Sequence, residues 1–260
     1  AYRRAEKQAV LHVERKIETL NLDVDRHSAG ETELAHRPKD MKTLRARVKS
    51  VLENYGVEPQ VIEQSELADR GFGGGPFFGA LTVPIGFGLN PRKYLAGLVG
   101  AAQSAGARLY EHSQVERIKR DGKTWILACG TKSVTARRII LATNGYASEN
   151  MPDWLAGRYM PAQSTVLVTR PLTSDELDAQ GWTTDQMSYD SRNLLHYFRL
   201  MPDRRFLFGM RGGLRTGATA EALSRALRAA GASTVQVWVV ARTPQPGGGA
   251  ASDPHRTDPE

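Results

Sequence analysis

Val10, Val13, Ile17 and Leu20 recur at helical spacing, which predicts an amphipathic helix over 2–20. Met41, Leu44, Val48, Val51, Leu52 and Tyr55 make a second helical stripe, and Gly56 stands where a helix closes in the left-handed conformation. Residues 31–36 alternate and read as a strand, as does 57–62, after which Ser65 can cap a short helix. A third helix is bounded at both ends: Asn90 suits the N-cap, Pro91 the first helical position, and Gly106 the stop. Tyr94, Leu95, Leu98, Val99 and Ala102 form its apolar face. Short strands follow at 107–110, 115–119, 124–128 and 133–136, the last three joined by turns at Asp121-Gly122 and Gly130-Thr131. Residues 138–143 are a continuous apolar run, as in a strand buried on both faces. Beyond them, 163–170 reads as a strand and 174–180 as a helix. Residues 194–200 and 206–209 read as a hairpin turning through Pro202-Asp203-Arg204-Arg205.

Helix 90–106 and the strands at 107–110 and 138–143 suit a parallel sheet covered by helices, with the meander as an excursion between them. Gly71 to Gly75 reads as a flexible surface loop. The dinucleotide fingerprint G-x-G-x-x-G fails there at Pro76, and fails again after Gly86 at Pro91. Beyond Leu214 lysine disappears, Trp238 is the only aromatic residue, and Ala, Arg, Gly, Pro, Ser and Thr dominate. Residues 220–230 could form one Ala-rich helix, and 243–260 are expected to be disordered.

Composition narrows the classes without choosing one. The 260 residues hold 40% hydrophobic and 24% charged residues, an ordinary balance with a core to bury. No run reaches the roughly 18 apolar residues of a membrane span, and the start is not a secretory signal. The missing initiator Met points to a true N-terminus upstream. Cys129 is the single cysteine, so an intrachain disulfide and a cysteine metal cluster are excluded. It reads as a small buried hydrophobe and fits a reducing, cytoplasmic setting. The net charge of +7 is spread along the chain rather than blocked, which argues against a nucleic-acid partner. His12-Val-Glu14 is half of a zinc-deaminase signature without its cysteines and reads as a solvated helix face; His27 and His36 lack metal-ligand spacing. Serine-nucleophile, zinc-protease and P-loop motifs are absent.

Two stretches carry more: Ile139 to Tyr146, where small residues end an apolar strand, and Asp190 to Leu200. Ligands of open α/β sheets bind at the carboxyl ends of strands, and small residues there let a flat cofactor approach the backbone. Together with Ser28 to Ala35, Asn90 to Tyr94 and the segment up to Gly213, these stretches resemble the D-amino-acid-oxidase-like FAD-dependent oxidoreductases, in particular the γ-glutamylputrescine oxidase-like branch. The resemblance covers residue 1 to about 215 and implies an α/β (α+β mixed) fold. A partial FAD-binding Rossmann-like domain would be joined to a mixed β-sheet substrate domain. The FAD domain would take 1–20 and 89–150, the substrate domain 21–88 and 151–213, with 214–260 an atypical, disordered tail.

The resemblance further implies that Val115 contacts the adenine end of FAD through its backbone, and that Ala142, Thr143, Asn144 and Gly145 lie beside the cofactor. The hairpin strand would face the substrate side of the flavin. Alternation puts Tyr197 and Arg199 on one face and His196 and Phe198 on the other. Tyr197 and Arg199 are therefore the pocket candidates, the arginine able to grip a carboxylate with two parallel hydrogen bonds. The implied reaction is hydride transfer to FAD from a carbon bearing the amine of a small amine or amino acid, with O2 or another acceptor reoxidising the flavin. Missing from the pattern are the N-terminal G-x-G-x-x-G turn and the C-terminal strand and glycine turn near the flavin ring. An inactive fragment of such an enzyme thus stays open beside the active one, as does a basic nucleic-acid-binding module.

Overall fold

A computed structural model of the chain describes residues 2–144, 151–155, 158, 165–210 and 235–238. These fall into two compact units, one within Ala1–Leu109 and Ser164–Val240 and the other within Tyr110–Gln163.

The first unit is built on an eight-stranded sheet. Its strands are β1 (Glu31–Leu34), β2 (Gln60–Glu63), β3 (Gly79–Val83), β7 (Thr165–Pro171), β8 (Met187–Asp190), β9 (His196–Leu200), β10 (Arg205–Met210) and β11 (Val235–Trp238). They run in the order β11-β7-β10-β9-β8-β1-β3-β2. Every pairing is antiparallel except that of β1 with β8, which sets Glu31 beside Met187 and Glu33 beside Tyr189. Consecutive residues of a strand face opposite sides of a sheet. Leu34, Ile62, Ala80, Phe198 and Leu200 accordingly pack into one core with Phe72 and Trp182, while Ala35 and Leu81 pack into another with Met41 and Leu44.

That second core belongs to helix α2 (Pro38–Tyr55), whose stripe lies against β2 and β3 as the periodicity requires. Gly56 closes α2 at φ 62°, its N–H donating to the Leu52 carbonyl. Helix α1 (Tyr2–Thr19) docks on α2, Lys7 donating to the Tyr55 carbonyl at 2.6 Å. In helix α3 (Pro91–Ser104) the Asn90 side chain accepts from the N–H groups of Arg92 and Lys93, the expected cap. Helix α4 (Ser174–Gln180) starts with a capping box: Thr173 accepts from the Glu176 N–H, and the Glu176 carboxylate accepts from the Thr173 N–H. Arg170 also pairs with Glu176, and these bonds hold its carboxyl down at about 2.

The other unit holds a three-stranded antiparallel meander of β4 (Arg117–Asp121), β5 (Thr124–Cys129) and β6 (Lys132–Ala136). Its turns fall at Gly122 and Gly130, as expected, and its first strand starts two residues later than Val115.

Several expectations need correction. Residues 107–110 and 138–143 form no strand, and Ile140 is 91% exposed. A strand buried on both faces needs a hydrogen-bonded neighbour, and none of the described strands lies beside either segment. The parallel sheet expected from these strands is therefore absent among the described residues. The glycine run at 71–75 is not a free surface loop. Phe72 is buried and bridges to Trp182, and a Cβ on Gly74 would lie 1.7 Å from the Gln180 carbonyl oxygen, so close backbone packing requires glycine there. The short helix after β2 is a 3-10 turn, Gln64–Glu66, capped from Glu63 rather than Ser65. Cys129, at the end of β5, is only half-buried. The apolar residues of α3 are not buried, Leu95 remaining 63% exposed. Within the tail taken as disordered, Val-Gln-Val-Trp alternates as a strand should and pairs with the open edge of β7. The helix proposed at 220–230 and the segment 243–260 lie outside the described residues. None of the described helices is long and apolar enough to cross a membrane.

Candidate functional site

The hairpin β9–β10 forms because its turn chemistry is local. Arg204 takes φ 65°, Asp203 Oδ1 accepts from the Arg205 N–H at 3.2 Å, and the Met201 N–H donates to the Arg205 carbonyl at 2.8 Å. Phe198 and Leu200 point into the aromatic core. Tyr197 and Arg199 therefore face the other side, where they line one pocket of about 320 Å³ with Glu31, Tyr189, Met187, Leu207 and Val166.

Register explains who meets whom. Glu33, Tyr189, Tyr197 and Gly209 stand in one row across β1, β8, β9 and β10. Glu31 pairs with Met187 and Arg199 with Leu207. Carrying the β8·β9 register one residue further joins these into a second row, Glu31, Met187, Arg199, Leu207.

The first row is internally satisfied. Arg47 of α2 pairs with Glu33, and the Tyr189 hydroxyl donates to Glu33 Oε2 at 3.2 Å. Burial, with Glu31 and Glu33 close by, pushes the Tyr189 phenol up. Gly209 makes room for Tyr197: a Cβ there would lie 2.2 Å from Cε2 and Cζ of the ring and 2.5 Å from its oxygen. Gly209→Ala is therefore expected to turn the Tyr197 ring out of this position. Loss of the ring-current shift on the Hα of residue 209 in NMR spectra would report it. A retained ring position would mean that the strands give way instead.

The second row is not satisfied. Arg199 Nη2 donates only to the Leu89 carbonyl, at 3.5 Å, and its Nε is buried without an acceptor. Burial lowers its pKa, with no acid near enough to offset the effect, yet a guanidinium stays charged. Among the described residues Arg199 has no carboxylate partner. Glu31, exposed at the start of β1, makes neither an ion pair nor a hydrogen bond among them; partial desolvation raises its carboxyl above the usual range and nearby Arg47 opposes this.

On the opposite face, fully buried Asp190 organises the turn between β8 and β9. It accepts from the N–H groups of Arg192 and His196 and pairs with the Arg192 guanidinium. His196 Nδ1 lies 3.1 Å from the same carboxylate. Burial lowers the His196 pKa, with Asp190 raising it and Arg192 opposing that. Among the described residues no group of His, Cys, Asp and Glu side chains could hold a metal ion. Glu14 of the His12-Val-Glu14 stretch pairs with Arg26.

The structure thus brings Tyr197 and Arg199 together. It places Val115, Ala142, Thr143 and Asn144 in the other compact unit, and Gly145 lies outside the described residues. Sequence reasoning missed Glu31, Glu33 and Tyr189. The signal available was Glu-Thr-Glu-Leu, which sets two acids on one face of a strand whose other face is core.

These residues fit FAD only in part. Val115 precedes the first ladder pair of β4, Arg117 with Ala128, and Ala142 to Asn144 are short, exposed side chains on irregular backbone with Asn144 at φ 49°. Both segments leave backbone open to a flat ligand. No G-x-G-x-x-G occurs in the 260 residues, so no residue here is assigned to the pyrophosphate.

One mixed α/β unit with a long, mostly antiparallel sheet and a second unit holding a three-stranded meander are found in a set of solved flavoenzymes. Glycine oxidase from Geobacillus kaustophilus superposes with a TM-score of 0.66 at 19% identity, over 85% of this chain and 60% of that one. Iminodiacetate oxidase from Chelativorans superposes at 0.65 with 17% identity, over 90% and 64%. The sequence profile of the FAD dependent oxidoreductase family (DAO) matches residues 1–253, and the chain belongs to that family. Its relatives include the probable oxidoreductase OrdL of Rhizobium meliloti, 29% identical over 70% of this chain and 42% of that protein. The γ-glutamylputrescine oxidoreductase of Escherichia coli is 28% identical over 79% and 47%. The chain therefore spans less than half the length of these two relatives.

Proposed function

We propose that this chain carries the substrate-recognising sheet of an FAD-dependent enzyme that oxidises the C–N bond of an amine or amino acid. The observation that supports this most is Arg199, a half-buried guanidinium with an unsatisfied Nε and no acid partner among the described residues, set beside Tyr197 in a pocket. Leaving a charge desolvated and unpaired is costly, and a ligand carboxylate removes the cost. Arg199 thus holds the substrate carboxylate, and Tyr197, kept flat by Gly209, forms the wall beside it. Val115 and the turn Ala142 to Gly145 are assigned to the cofactor, on the family resemblance. FAD, when bound, supplies the hydride acceptor for the carbon bearing the amine, with electrons passing on to O2 or another acceptor. We assign no general base, because an amine that arrives neutral needs none. The single cysteine supports a cytoplasmic setting.

The domain assignment is part of the same proposal: 1–20 and 89–150 to the cofactor, 21–88 and 151–213 to the substrate. The test is an absorbance spectrum after incubation with FAD and desalting, followed by anaerobic addition of candidate amines and amino acids. Retained flavin bands that bleach with an amino acid support the reading. A colourless protein shows that this chain alone does not run the chemistry.

A further inference from the structure

His196 Nδ1 is held between a group that only donates and a group that only accepts. Arg192 Nη1 lies 2.5 Å from it and Asp190 Oδ2 lies 3.1 Å from it, and Arg192 Nη1 also pairs with that same carboxylate oxygen. A guanidinium nitrogen has no acceptor capacity, so the Nδ1 that faces it carries the lone pair and the ring proton sits on Nε2. A proton added to Nδ1 would point at Asp190 and stand against Arg192, and two cations would then compete for one carboxylate oxygen. Asp190 cannot open to serve both: it is fully buried, and its Oδ1 already accepts from the Arg192 and His196 N–H groups. His196 cannot withdraw either, because β9 holds its backbone opposite Met210 and its ring lies 5.2 Å from that of Phe208. Arg192 can leave. It stands in the irregular turn between β8 and β9, and its side chain is 33% exposed.

We propose that Asp190, Arg192 and His196 form a proton-operated latch on the turn between β8 and β9. It is closed while the unprotonated Nδ1 of His196 accepts from Arg192. It opens when a proton from solvent binds Nδ1, His196 donates that proton to Asp190, and Arg192 swings out to water. Charge sets the direction: the closed latch pairs one cation with one anion, and a second cation beside a buried oxygen is relieved when the mobile one departs. The other groups around the ring supply no second anion. His36, beyond β1, is another base, with a buried Nδ1 that has no partner. Asp40 of α2 already holds Arg37 and the Ser191 hydroxyl, and β10 presents Phe208 and Met210. Burial, joined by Arg192 and His36 and opposed by Asp190, disfavours the charged ring, so opening falls on the acid side of the ordinary value of 6.5. The latch does not rest on the role given to Arg199, which lies on the other face of β9.

The test is nitrogen NMR of the imidazole and guanidinium groups in the nitrogen-15-labelled chain, between about pH 8 and pH 5. At the alkaline end Nδ1 of His196 should resonate as an unprotonated nitrogen, and the Arg192 guanidinium protons should be protected from exchange. On acidification Nδ1 should gain its proton and Arg192 should lose its protection, both with one midpoint. In Arg192→Met only Asp190 faces Nδ1, and the His196 midpoint should rise by about 1 pH unit or more. In His196→Phe, which keeps a ring beside Phe208, Arg192 should stay protected throughout. A proton already on Nδ1 at the alkaline end overturns the latch, as does an Arg192 that stays protected after His196 is charged. An unchanged midpoint in Arg192→Met, or loss of Arg192 protection in His196→Phe, overturns it as well. The Trp182 indole N–H, bonded to the Thr184 carbonyl, reports that each variant is folded, and the wild-type titration decides by itself should a variant fail to fold.

Discussion

Trp182→Ala is expected to destabilise the first unit by about 3–5 kcal/mol, the cost of emptying a large aromatic site. Trp182 is 5% exposed and meets three rings edge-on: Phe72 at 5.4 Å, Phe198 at 5.3 Å and Phe206 at 6.0 Å between centroids. Its Nε1 donates to the Thr184 carbonyl at 3.1 Å, so the truncation also orphans an acceptor, a further cost of about 1 kcal/mol. No small shift can refill the space, because Phe72 reaches it from the glycine run, Phe198 from β9 and Phe206 from β10, each fixed by its own backbone bonds. Against a total stability of roughly 5–15 kcal/mol, the loss takes about a quarter or more. Urea unfolding of the variant should show a large fall in midpoint with little change in slope. Leu95→Ala, on the exposed face of α3, provides the contrast and should stay within about 0.5 kcal/mol. A change below about 1 kcal/mol for Trp182→Ala would show that this cluster does not hold the sheet together.

The local parts of this arrangement are legible in the sequence, and the long-range parts are not. The stripes include the residues that the helices bury, Ile17 in α1 and Met41, Leu44 and Val51 in α2, because the helical period depends on neighbours three and four positions away, but they also take in Leu20 and Leu52, which are exposed. The caps Asn90 and Gly56 and the β9–β10 turn follow from single residues with special hydrogen-bonding or backbone properties. Alternation in β9 separates Tyr197 and Arg199 from Phe198 and Leu200 without knowledge of the partner strands. The run 138–143 shows the limit of that reasoning. An apolar hexapeptide is compatible with a buried strand, but a strand exists only where another backbone completes its hydrogen bonds. The reverse error explains β3 and β8, too short to display a period, and β11, a brief Val-Gln-Val-Trp in a polar setting; each becomes a strand because an edge was available. The pocket has the same character. Glu33 meets Tyr189 and Glu31 aligns with Arg199 only because β1 pairs in parallel with a strand about 150 residues away. Nothing in either segment announces that pairing.

Arg199→Met separates a binding role from a structural one, because the two predict opposite signs for stability. Were Arg199 a structural element, its removal would cost hydrogen bonds and destabilise the fold. The guanidinium instead has one hydrogen bond at the 3.5 Å limit, a buried Nε with no acceptor, and a pKa lowered by burial alone. Replacing an unsatisfied buried charge with an apolar side chain of similar length relieves desolvation, so the ligand-free variant should unfold at the same temperature as wild type or higher. Binding and turnover should move the other way. Truncating one partner of a buried, hydrogen-bonded charge pair costs about 2–5 kcal/mol, so kcat/KM for a carboxylate-bearing amine should fall roughly 30- to 5000-fold. An amine without a carboxylate should lose little. Arg199→Lys should restore only part of the difference, because an ammonium cannot present two parallel donors to a carboxylate. The decisive comparison sets the melting temperature of the ligand-free chain beside its carboxylate affinity. A variant that melts lower and binds no worse would make Arg199 a scaffold residue. One that melts no lower and has lost its preference for carboxylates would identify a charge kept at the expense of stability for the ligand it meets.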